Sequence, residues 1–575
     1  MKNKDIFIRF FRYSKNYKKD IFIGLILLSI STIASLIGPY ISGKIINEVV
    51  VSNFYYKTLV ILVSFFALSL IIQAITSYLL SVKFEKITGK ISRDIRRDLY
   101  NHVENLPIKY YDNLPAGKVT ARITSDTKQM KEMFSAIFTR MISPAFQALG
   151  YFIACILIDW RIIFVFLILS PAMYWAYTDF IKKSFIFSTK SRSYISNMNA
   201  TINEDIKNIE IIQAFNDSKY TYDDFQKINH NNYNYGIKMT KLFAYNAQNM
   251  TSVFTKVSTL LVIIIASRNY LNNIPMTIGS IYIIVNYMIS FFQNLRQIMF
   301  VLSSVQRSLG SAVHVADLFD IEKEVDSNKQ IESISGEVEF KNIRFAYDRD
   351  DVLKDVNFKI KKNSSLAFVG QTGSGKSTMM NLLMRFYDVE RGEILIDGIN
   401  IKDFSRNSLR SHISMVLQDA QLFNGTIFDN ITMGKDISRQ KAMKALKDVG
   451  GDIILKNHPK GLDTMIKDGG RGFSQGEKQI ISFARAYVTD PEILILDEAT
   501  ANIDTQTESL IQQAVFEMSR DRTTIIIAHR LSTIHFCDQI LVLDHGEIVE
   551  RGDHNSLIEQ KGRYYKMYQK ESKGN

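Results

Sequence analysis

Long apolar runs alternate with polar stretches over roughly the first 300 residues, and the later part of the chain shows the shorter apolar segments of a soluble α/β protein. Each long run is close to the ~20 residues that a helix needs to cross about 30 Å of hydrocarbon. We therefore predict an all-α transmembrane domain with six spanning helices. The runs cover residues 21–43, 58–82, 141–158, 162–180, 251–266 and 277–302, each to within a few positions.

Two polar stretches, at about 83–140 and 182–249, interrupt the series of apolar runs. Their hydrophobic spacing is helical, which predicts long helices that extend out of the membrane rather than loops. The first stretch is rich in Lys and Arg, whereas the gaps on the opposite side of the membrane carry few cations. The positive-inside rule then places both termini and both polar stretches in the cytoplasm. The cations of the first stretch are Lys86, Lys90, Arg93, Arg96, Arg97, Lys109, Lys118, Arg122, Lys128 and Lys131.

A polar segment follows the last apolar run and leads into strand-like segments that begin at Glu337–Phe340. We therefore predict a transmembrane domain over residues 1–320, a linker over 321–335 and an α/β domain over 336–575. The N-terminal residues have the pattern of a basic amphipathic helix, which either lies on the inner membrane surface or packs on the helical bundle; the two are compatible. The apolar side of that helix consists of Ile6, Phe7, Phe10 and Phe11.

The chain has a formal net charge of +12 and a pI of about 9.2. Its cations cluster in the segments between the apolar runs, which fits loops that face anionic lipid better than a nucleic-acid groove. We therefore predict membrane lipid, and not nucleic acid, as their partner. The only cysteines, Cys155 and Cys537, exclude a disulfide framework, and no Cys or His spacing suggests zinc.

A glycine-rich segment follows the apolar strand predicted at 365–369 and fits the pattern G-x-x-x-x-G-K-[ST]. Such glycines let backbone N–H groups curl around phosphate oxygens, and the next helix directs its positive end at them. Lys376 would neutralise the β- and γ-phosphates of ATP, and the Ser377 hydroxyl would ligate Mg²⁺. The predicted nucleotide-binding segment is Gly370, Gln371, Thr372, Gly373, Ser374, Gly375, Lys376, Ser377 and Thr378.

An apolar segment about 120 residues further on ends in two carboxylates, Asp497 and Glu498. We expect Asp497 to hold Mg²⁺ through water. Glu498 is placed to orient the attacking water or accept its proton. A strand that ends in Asp-Glu is common by itself, and only the phosphate-binding segment makes this pair specific for nucleotide hydrolysis.

The run Phe473-Ser474-Gln475-Gly476-Glu477 resembles the signature motif of ATP-binding cassette (ABC) proteins. The resemblance implies an α/β P-loop ATPase domain in which Ser474 and Gly476 bind the γ-phosphate of ATP held by a second chain. It also assigns roles to four other residues, each by its match to a family motif. They are Tyr347 for adenine stacking, Gln418 for sensing Mg²⁺ and facing the membrane domain, Asp504 for the contact across the dimer, and His529 for the γ-phosphate.

The resemblance extends into the membrane half, where residues near 106–126 and 204–215 look like the two coupling segments of exporter-type subunits. Membrane spans that precede a cassette in one chain make a half-transporter, so the resemblance implies a dimer. Four other histidines of the second half are read as ordinary structural residues, with no part in the chemistry. They are His412, His458, His535 and His545.

The signature departs from the usual family pattern at three positions: Phe473 replaces leucine, Gln475 replaces glycine, and Glu477 replaces glutamine. In heterodimeric exporters of the family, an altered signature often accompanies an intact catalytic glutamate in the same subunit. With Glu498 and His529 both present, this pattern favours a heterodimer over a homodimer.

The function predicted from these features is ATP-driven export of an amphiphilic small molecule, lipid or peptide across a bacterial plasma membrane. Two alternatives stay open: import of a metallophore by the same architecture, and a non-transporting, ATP-gated regulatory protein. The polar residues in or near the spans, such as Lys256, do not identify the substrate.

Overall fold

The computed structural model describes the chain except for residues 1–2, 52–55, 113–115, 216–217, 272–276, 325, 328, 498–504, 529–530 and 575. Its contacts divide the chain into two compact units. The first unit, here the membrane unit, comprises Met1–Leu106 and Leu114–Glu322. The second, here the cassette unit, comprises Pro107–Asn113 and Lys323–Asn575. The predicted coupling segment near 106–126 is thus divided, because its first part is grouped with the cassette unit.

The membrane unit is built of helices, several of which are joined through short 3₁₀ or π turns. Its long helices pack side by side: α2 lies against α3 and α12, α7 against α12, and α8 against α10. The helices of the N-terminal half are α1 (Asn3–Phe11), α2 (Lys18–Val51), α3 (Tyr56–Val103), α4 (Ile108–Asp112, grouped with the cassette unit), α5 (Ala116–Ala121), α6 (Thr127–Ile137), α7 (Ser143–Ile158), α8 (Ile162–Lys207), α9 (Ile209–Phe215), α10 (Ser218–Leu242), α11 (Thr251–Leu271) and α12 (Ile278–Phe319).

In the described part of the chain, five helical stretches are long and apolar enough to cross a membrane. They are Asp5–Val49, Tyr56–Val103, Gly117–Ile158, Ile162–Lys207 and Ile278–Val301. The predicted span at 251–266 lies in α11, which is not among these five, and so it stays a prediction. The helices α3 and α8 continue far past the apolar part of their sequence, because the polar residues that follow keep helical spacing without a breaker.

The N-terminal helix α1 packs against the C-terminal end of α12. Ile6 and Phe10 are buried, and the Arg9 guanidinium forms an ion pair of 2.5 Å with Asp320 and lies over the Phe319 ring. Of the two alternatives predicted for this segment, packing on the bundle is therefore observed.

The helices α2 and α12 approach each other closely at a pair of glycines. A Cβ atom on Gly279 would lie 2.0 Å from the Gly43 carbonyl oxygen, so only hydrogen fits there. Asn47 of α2 also caps the first turn of α12: its Oδ1 accepts from the Gly279 N–H at 2.8 Å, and its Nδ2 donates to the Thr277 hydroxyl at 2.9 Å. The N–H groups at the start of a helix need such partners, because no earlier carbonyl of the helix reaches them.

The cassette unit is a mixed α/β structure. Its strands are β1 (Val338–Ala346), β2 (Asp351–Ile360), β3 (Ser365–Gly370), β4 (Arg391–Ile396), β5 (Ile399–Asn400), β6 (Ile413–Val416), β7 (Gly425–Thr426), β8 (Met465–Ile466), β9 (Ile493–Asp497), β10 (Thr523–Ile527), β11 (Gln539–Asp544) and β12 (Glu547–Gly552). Its helices after α12 are α13 (Lys376–Leu383), α14 (Arg406–His412), α15 (Ile427–Thr432), α16 (Arg439–Asp448), α17 (Asp452–Asn457), α18 (Gln475–Tyr487), α19 (Thr505–Ser519), α20 (His554–Glu559) and α21 (Arg563–Gly574).

Two larger sheets form the frame of the cassette unit. An antiparallel sheet has the order β2-β1-β4-β5, and a six-stranded sheet has the order β12-β11-β3-β10-β9-β6. In the six-stranded sheet β11, β3, β10, β9 and β6 are parallel, and β12 pairs antiparallel with β11. The strands β7 and β8 form a separate small pair.

The six-stranded sheet separates two apolar cores, because successive side chains of a strand point to opposite faces. On β3, Leu366 and Phe368 pack toward the antiparallel sheet, whereas Ala367 and Val369 pack toward the helices of the other face. A parallel strand covered on both faces is apolar throughout, as the buried pattern of β3 shows. A helical domain followed by this α/β unit confirms the predicted fold class.

Candidate functional site

Four parallel strands end at one edge of the six-stranded sheet. Val416 of β6 is paired with Leu496, Asp497 of β9 with Ile527, and Ile527 of β10 with Phe368 of β3. Ligands of open α/β sheets bind outside the carboxyl ends of such strands. In the sequence, Gln418, Glu498 and His529 follow β6, β9 and β10 by one or two residues. Gln418 is exposed directly after β6, whereas the predicted Glu498, His529 and Asp504 lie outside the described residues.

The glycine-rich turn after β3 has a backbone that requires glycine. Gly373 and Gly375 have φ values of 83° and 101°, in the region that residues with a Cβ rarely adopt. A Cβ on Gly375 would also lie 2.6 Å from Leu353 Cδ2. The turn is closed by the Ser374 N–H, which donates to the Gln371 carbonyl at 3.1 Å. The helix α13 begins directly after it, at Lys376, and the first N–H groups of a helix point toward its N-terminal end, where no earlier carbonyl of the helix reaches them.

The Lys376 side chain is buried inside the curve of this turn. Its ammonium donates to the Gly370 carbonyl at 2.7 Å and to the Gln371 carbonyl at 3.1 Å. The loop's own carbonyls therefore hold the cation at the start of α13, where a phosphate would gain both from its charge and from the helix end.

The turn also fits a polyphosphate through its hydroxyl groups. The Ser374 hydroxyl is buried and has no hydrogen-bond partner among the described residues, which marks a place for an acceptor or donor from a ligand. Gln371, Thr372 and Ser377 are exposed at the open side of the turn.

The candidate Mg²⁺ ligands are oxygen donors, as this ion requires. They are Ser377 at the start of α13, Asp497 at the end of β9 and Gln418 after β6. The described residues contain no group of three or more His, Cys, Asp and Glu side chains that could hold a metal. That finding is compatible with Mg²⁺, which usually keeps several waters and is bound with substrate phosphates rather than in an all-protein cage.

Tyr347 lies beside the phosphate-binding helix. Its hydroxyl donates to Thr378 Oγ1 at 3.3 Å and accepts from Asn381 Nδ2 at 3.2 Å. Its ring meets the rings of Phe345 and Tyr387 edge to face, at 5.0 and 4.9 Å between centroids. These contacts fix the ring next to α13 and leave part of it exposed, as an adenine-stacking residue requires.

A cavity of about 800 Å³ opens next to Tyr347 in the cassette unit. Its lining combines aromatic and charged side chains, which suits an aromatic base with a polar sugar attached. The lining includes Lys109 of α4, and the Tyr387 hydroxyl at its rim donates to Asp112 of the same short helix. Residues of the predicted first coupling segment therefore lie within contact distance of the tyrosine pair.

The signature segment forms the start of α18. Ser474 is the N-cap: its hydroxyl accepts from the Glu477 N–H at 3.2 Å, and its own N–H donates to Glu477 Oε2 at 2.9 Å. This reciprocal pair is a capping box. Ser474 and Gln475 are exposed, whereas Gly476 and Glu477 are buried. An exposed serine at the N-terminus of a 13-residue helix is well placed to meet an anion.

The segment after Gln418 is tied to the same helix through Arg485. The Arg485 guanidinium donates to the Gln421 carbonyl at 3.1 Å and to the Asn430 carbonyl at 2.8 Å, and it lies over the Phe423 ring. Burial lowers the pKa of Arg485, and it stays charged at neutral pH because its ordinary pKa is above 12. Two motifs that are far apart in sequence are thus held together by one side chain.

Sequence reasoning missed the part played by His458, which it read as an ordinary structural histidine. The His458 ring stacks on Phe473 of the signature segment, with 4.4 Å between centroids and 20° between planes. The two residues are 15 positions apart, and no local pattern links them. Only the path of the chain from α17 to α18 brings them together.

Comparisons with known proteins show which family this chain resembles. Residues 21–295 match the family model of the ABC transporter transmembrane region, and residues 353–501 match that of the ABC transporter. A Bacillus subtilis relative, "Probable multidrug resistance ABC transporter ATP-binding/permease protein YheH", is 38% identical over 89% of this chain and 77% of its own length. An "ATP-dependent lipid A-core flippase" of Mannheimia succiniciproducens is 31% identical over 90% of this chain and 89% of its own. Among solved structures, a bacterial Atm1-family ABC exporter with ATP bound has a TM-score of 0.81 and 25% identity, and the match covers 96% of this chain and 98% of the other.

Proposed function

The chain belongs to the ABC transporter family, and from that membership we propose that it exports an amphiphilic small molecule, lipid or peptide as one half of a dimer. One observation carries the proposal: the phosphate-binding turn, with Lys376 held inside it, lies at the sheet edge where β6, β9 and β10 also end. The same chain contains helices long and apolar enough to span a membrane. Hydrolysis of ATP in one unit would drive rearrangement of the other.

The cassette residues divide the chemistry among them. Lys376 and the N–H groups of the turn bind the β- and γ-phosphates, and Tyr347 packs against the adenine. Ser377, Asp497 and Gln418 would hold Mg²⁺, which neutralises charge that develops on the phosphates. Glu498 orients the attacking water or accepts its proton, and His529 contacts the γ-phosphate.

The signature makes the dimer necessary. Ser474 and Gly476 bind the γ-phosphate held by the other chain, and the N-terminus of α18 adds its partial positive charge. Asp504 contributes to the contact between the two cassettes. Bound ATP therefore holds the cassettes together, and its hydrolysis releases them, so that the membrane helices alternate between inward- and outward-facing states.

Gln475 supports a heterodimer. It places an exposed side chain at the first position of α18, where glycine is usual in the family. A side chain at this position would crowd the triphosphate of the other chain, while this chain keeps its own Glu498. The partner would then be a second half-transporter with the reverse pattern. Purification of this chain expressed alone tests the point, because an active and stable homodimer would contradict it.

The bacterial plasma membrane is the expected location, with both termini and the cassette in the cytoplasm. Inverted membrane vesicles that contain the assembled complex test direction and mechanism together. With Mg²⁺ and ATP outside, export predicts accumulation of a fluorescent amphiphile or a labelled lipid inside, and import predicts its loss.

The variant Glu498→Gln tests the catalytic step. It should abolish accumulation and ATP hydrolysis while ATP binding is retained. Unchanged hydrolysis in the assembled complex would contradict the catalytic role of Glu498. Hydrolysis without movement of any tested substrate would favour a regulatory protein.

A further inference from the structure

The start of α18 is held by residues that lie outside the signature motif. The Glu477 carboxylate accepts from the Ser474 N–H at 2.9 Å and from Asn457 Nδ2 at 3.0 Å, and His458 Nε2 lies 3.4 Å from its Oε1. Glu477 is only 7% exposed, so the two hydrogen bonds replace water around its charge, whereas the buried His458 Nε2 makes no hydrogen bond among the described residues. Asn457 ends α17 and His458 directly follows it.

His458 contacts two of the three positions at which the signature departs from the usual family pattern. Its ring stacks on Phe473, and its Nε2 lies 3.4 Å from Glu477 Oε1. The two departures therefore meet at one side chain. A phenylalanine offers a flat surface to an imidazole that leucine does not, and a carboxylate offers it a charge that glutamine does not.

We propose that Asn457 and His458 act with Glu477 as positioning residues, which hold Ser474 in the orientation that meets the ATP phosphate of the other chain. The inference rests on the proposed role of Ser474 and adds three residues that act through it. Together with Phe473, on which His458 stacks, these three residues form a set that we name the signature support.

The signature support is itself anchored to the core. The His458 N–H donates to the Ile454 carbonyl at 2.9 Å, and the His458 carbonyl accepts from the Gly461 N–H at 2.8 Å. Ile454 is fully buried in the core of the helical side. The turn that carries His458 is thus fixed, whereas Ser474 is exposed and depends on its neighbours for orientation.

A carboxylate suits the geometry at position 477. Two N–H donors converge on this side chain, one from Ser474 and one from Asn457, and a carboxylate can accept both. Burial acts to raise the pKa of Glu477, but the hydrogen bonds from Asn457 and Ser474 and the nearby His458 outweigh it and lower the pKa. Glu477 is therefore ionised at neutral pH and acts only as an acceptor.

Substitutions in the full-length chain, assembled in its dimer, test the proposal. Glu477→Ala removes both hydrogen bonds and should raise the ATP concentration for half-maximal labelling of the partner subunit by a photoreactive ATP analogue about tenfold, as expected for the loss of a charge-assisted pair, with a smaller change in kcat of the assembled complex. Glu477→Gln should stay within about twofold of the unmodified chain, because the Asn457 amide can rotate and offer its oxygen to the new NH₂ group.

Two substitutions at position 458 distinguish the contribution of the stacked ring from that of the imidazole nitrogen. His458→Ala loses the stack on Phe473 and should raise the half-maximal ATP concentration about threefold, whereas His458→Phe keeps a ring there and should recover most of that change. Labelling by the photoreactive ATP analogue needs no turnover, so that an effect on binding is visible even when the affected site hydrolyses slowly.

The decisive experiment combines Glu477→Ala with Ser474→Ala. If the support acts through Ser474, the double substitution should behave like Ser474→Ala alone, because effects of residues that form one unit do not add. Asp553→Ala is the matched control: it removes the same kind of capping box from α20, and it should leave the half-maximal ATP concentration unchanged.

Two results would overturn the proposal in distinguishable ways. If Ser474→Ala leaves both hydrolysis and labelling unchanged, the proposed role of Ser474 is wrong, and the inference falls with it. If Ser474→Ala raises the half-maximal ATP concentration but Glu477→Ala and His458→Ala leave it unchanged, as Asp553→Ala does, only the positioning role is wrong. The same holds if the effect of Glu477→Ala or His458→Ala adds to that of Ser474→Ala in the double variant. Thermal unfolding of each variant identifies any that fail to fold, and if Glu477→Ala is one of them, the loss in His458→Ala and its recovery in His458→Phe carry the test.

Discussion

The two units of this chain distribute apolar side chains in opposite ways. In the cassette unit, Leu494 and Leu496 of β9 are almost completely buried. In the membrane unit, Phe22, Leu157 and Trp175 are 65%, 81% and 67% exposed. Burial from water drives the packing of the first. Lipid tails are as apolar as leucine, so the second needs close backbone contacts and polar caps instead, such as those between Gly43, Gly279 and Asn47.

The units also differ in how they carry chemistry. In the cassette, a buried ammonium, a hydroxyl without a partner among the described residues and the N-terminus of α13 lie together in the turn that follows β3 at a sheet edge. In the membrane unit, the Thr32 and Thr76 hydroxyls and the Asn294 amide donate to carbonyls one turn earlier in their own helices.

The largest effect is expected from a substitution that lowers ATP hydrolysis by the cassette and leaves the folds of both units intact. Lys376→Ala should lower ATP hydrolysis of the assembled complex about 100-fold or more, because the phosphates lose a buried positive charge. Steady-state phosphate release measures the effect. Lys444→Ala, an exposed lysine on α16, is the control and should leave the rate unchanged. Equal rates for the two variants would contradict the assignment of the phosphate site.

The second prediction tests the opposite burial of apolar side chains directly. Leu496→Ala should destabilise the cassette by about 2–5 kcal/mol, since it leaves a cavity beside β9. Leu157→Ala, at a position 81% exposed, should cost less than about 0.5 kcal/mol. Thermal unfolding of the purified full-length chain in detergent compares them. A larger loss for Leu157→Ala would mean that this position is covered by protein and not by lipid.

The smallest effect concerns packing inside the membrane unit. Gly279→Ala places a methyl group against the Gly43 carbonyl and should force α2 and α12 apart, at a cost of about 1–3 kcal/mol. Gly310→Ala lies on the same helix with no atom near its Cβ, and it should be neutral or slightly stabilising. Melting temperatures of the two variants in detergent provide the test. The same melting temperature for both would show that the glycine contact is dispensable.

The motifs of the cassette were largely predictable from sequence because each of them is a short run of consecutive residues. The turn Gly370–Thr378 needs glycines at fixed offsets, and the family motif around Ser474 has a similar local pattern. The membrane-spanning helices were equally predictable from the long apolar runs, since the thickness of the hydrocarbon layer sets the length of such runs. The membrane α-helical domain and the α/β P-loop ATPase followed from these features, and both are confirmed.

Other features depend on residues that meet only after folding. No spacing rule links His458 to Phe473, or Asn47 to the first turn of α12, because each contact joins separate helices. Lys109 and Asp112 were predicted by resemblance to lie in a coupling segment, but the position of Lys109 in the lining of the cavity next to Tyr347 and the bond of Asp112 to Tyr387 came from the structure. Sequence alone determined which elements and chemical groups this chain has, because those depend on periodicity and short motifs. Tertiary structure decided which groups support one another, because a buried charge or a close helix crossing depends on partners distant in the chain.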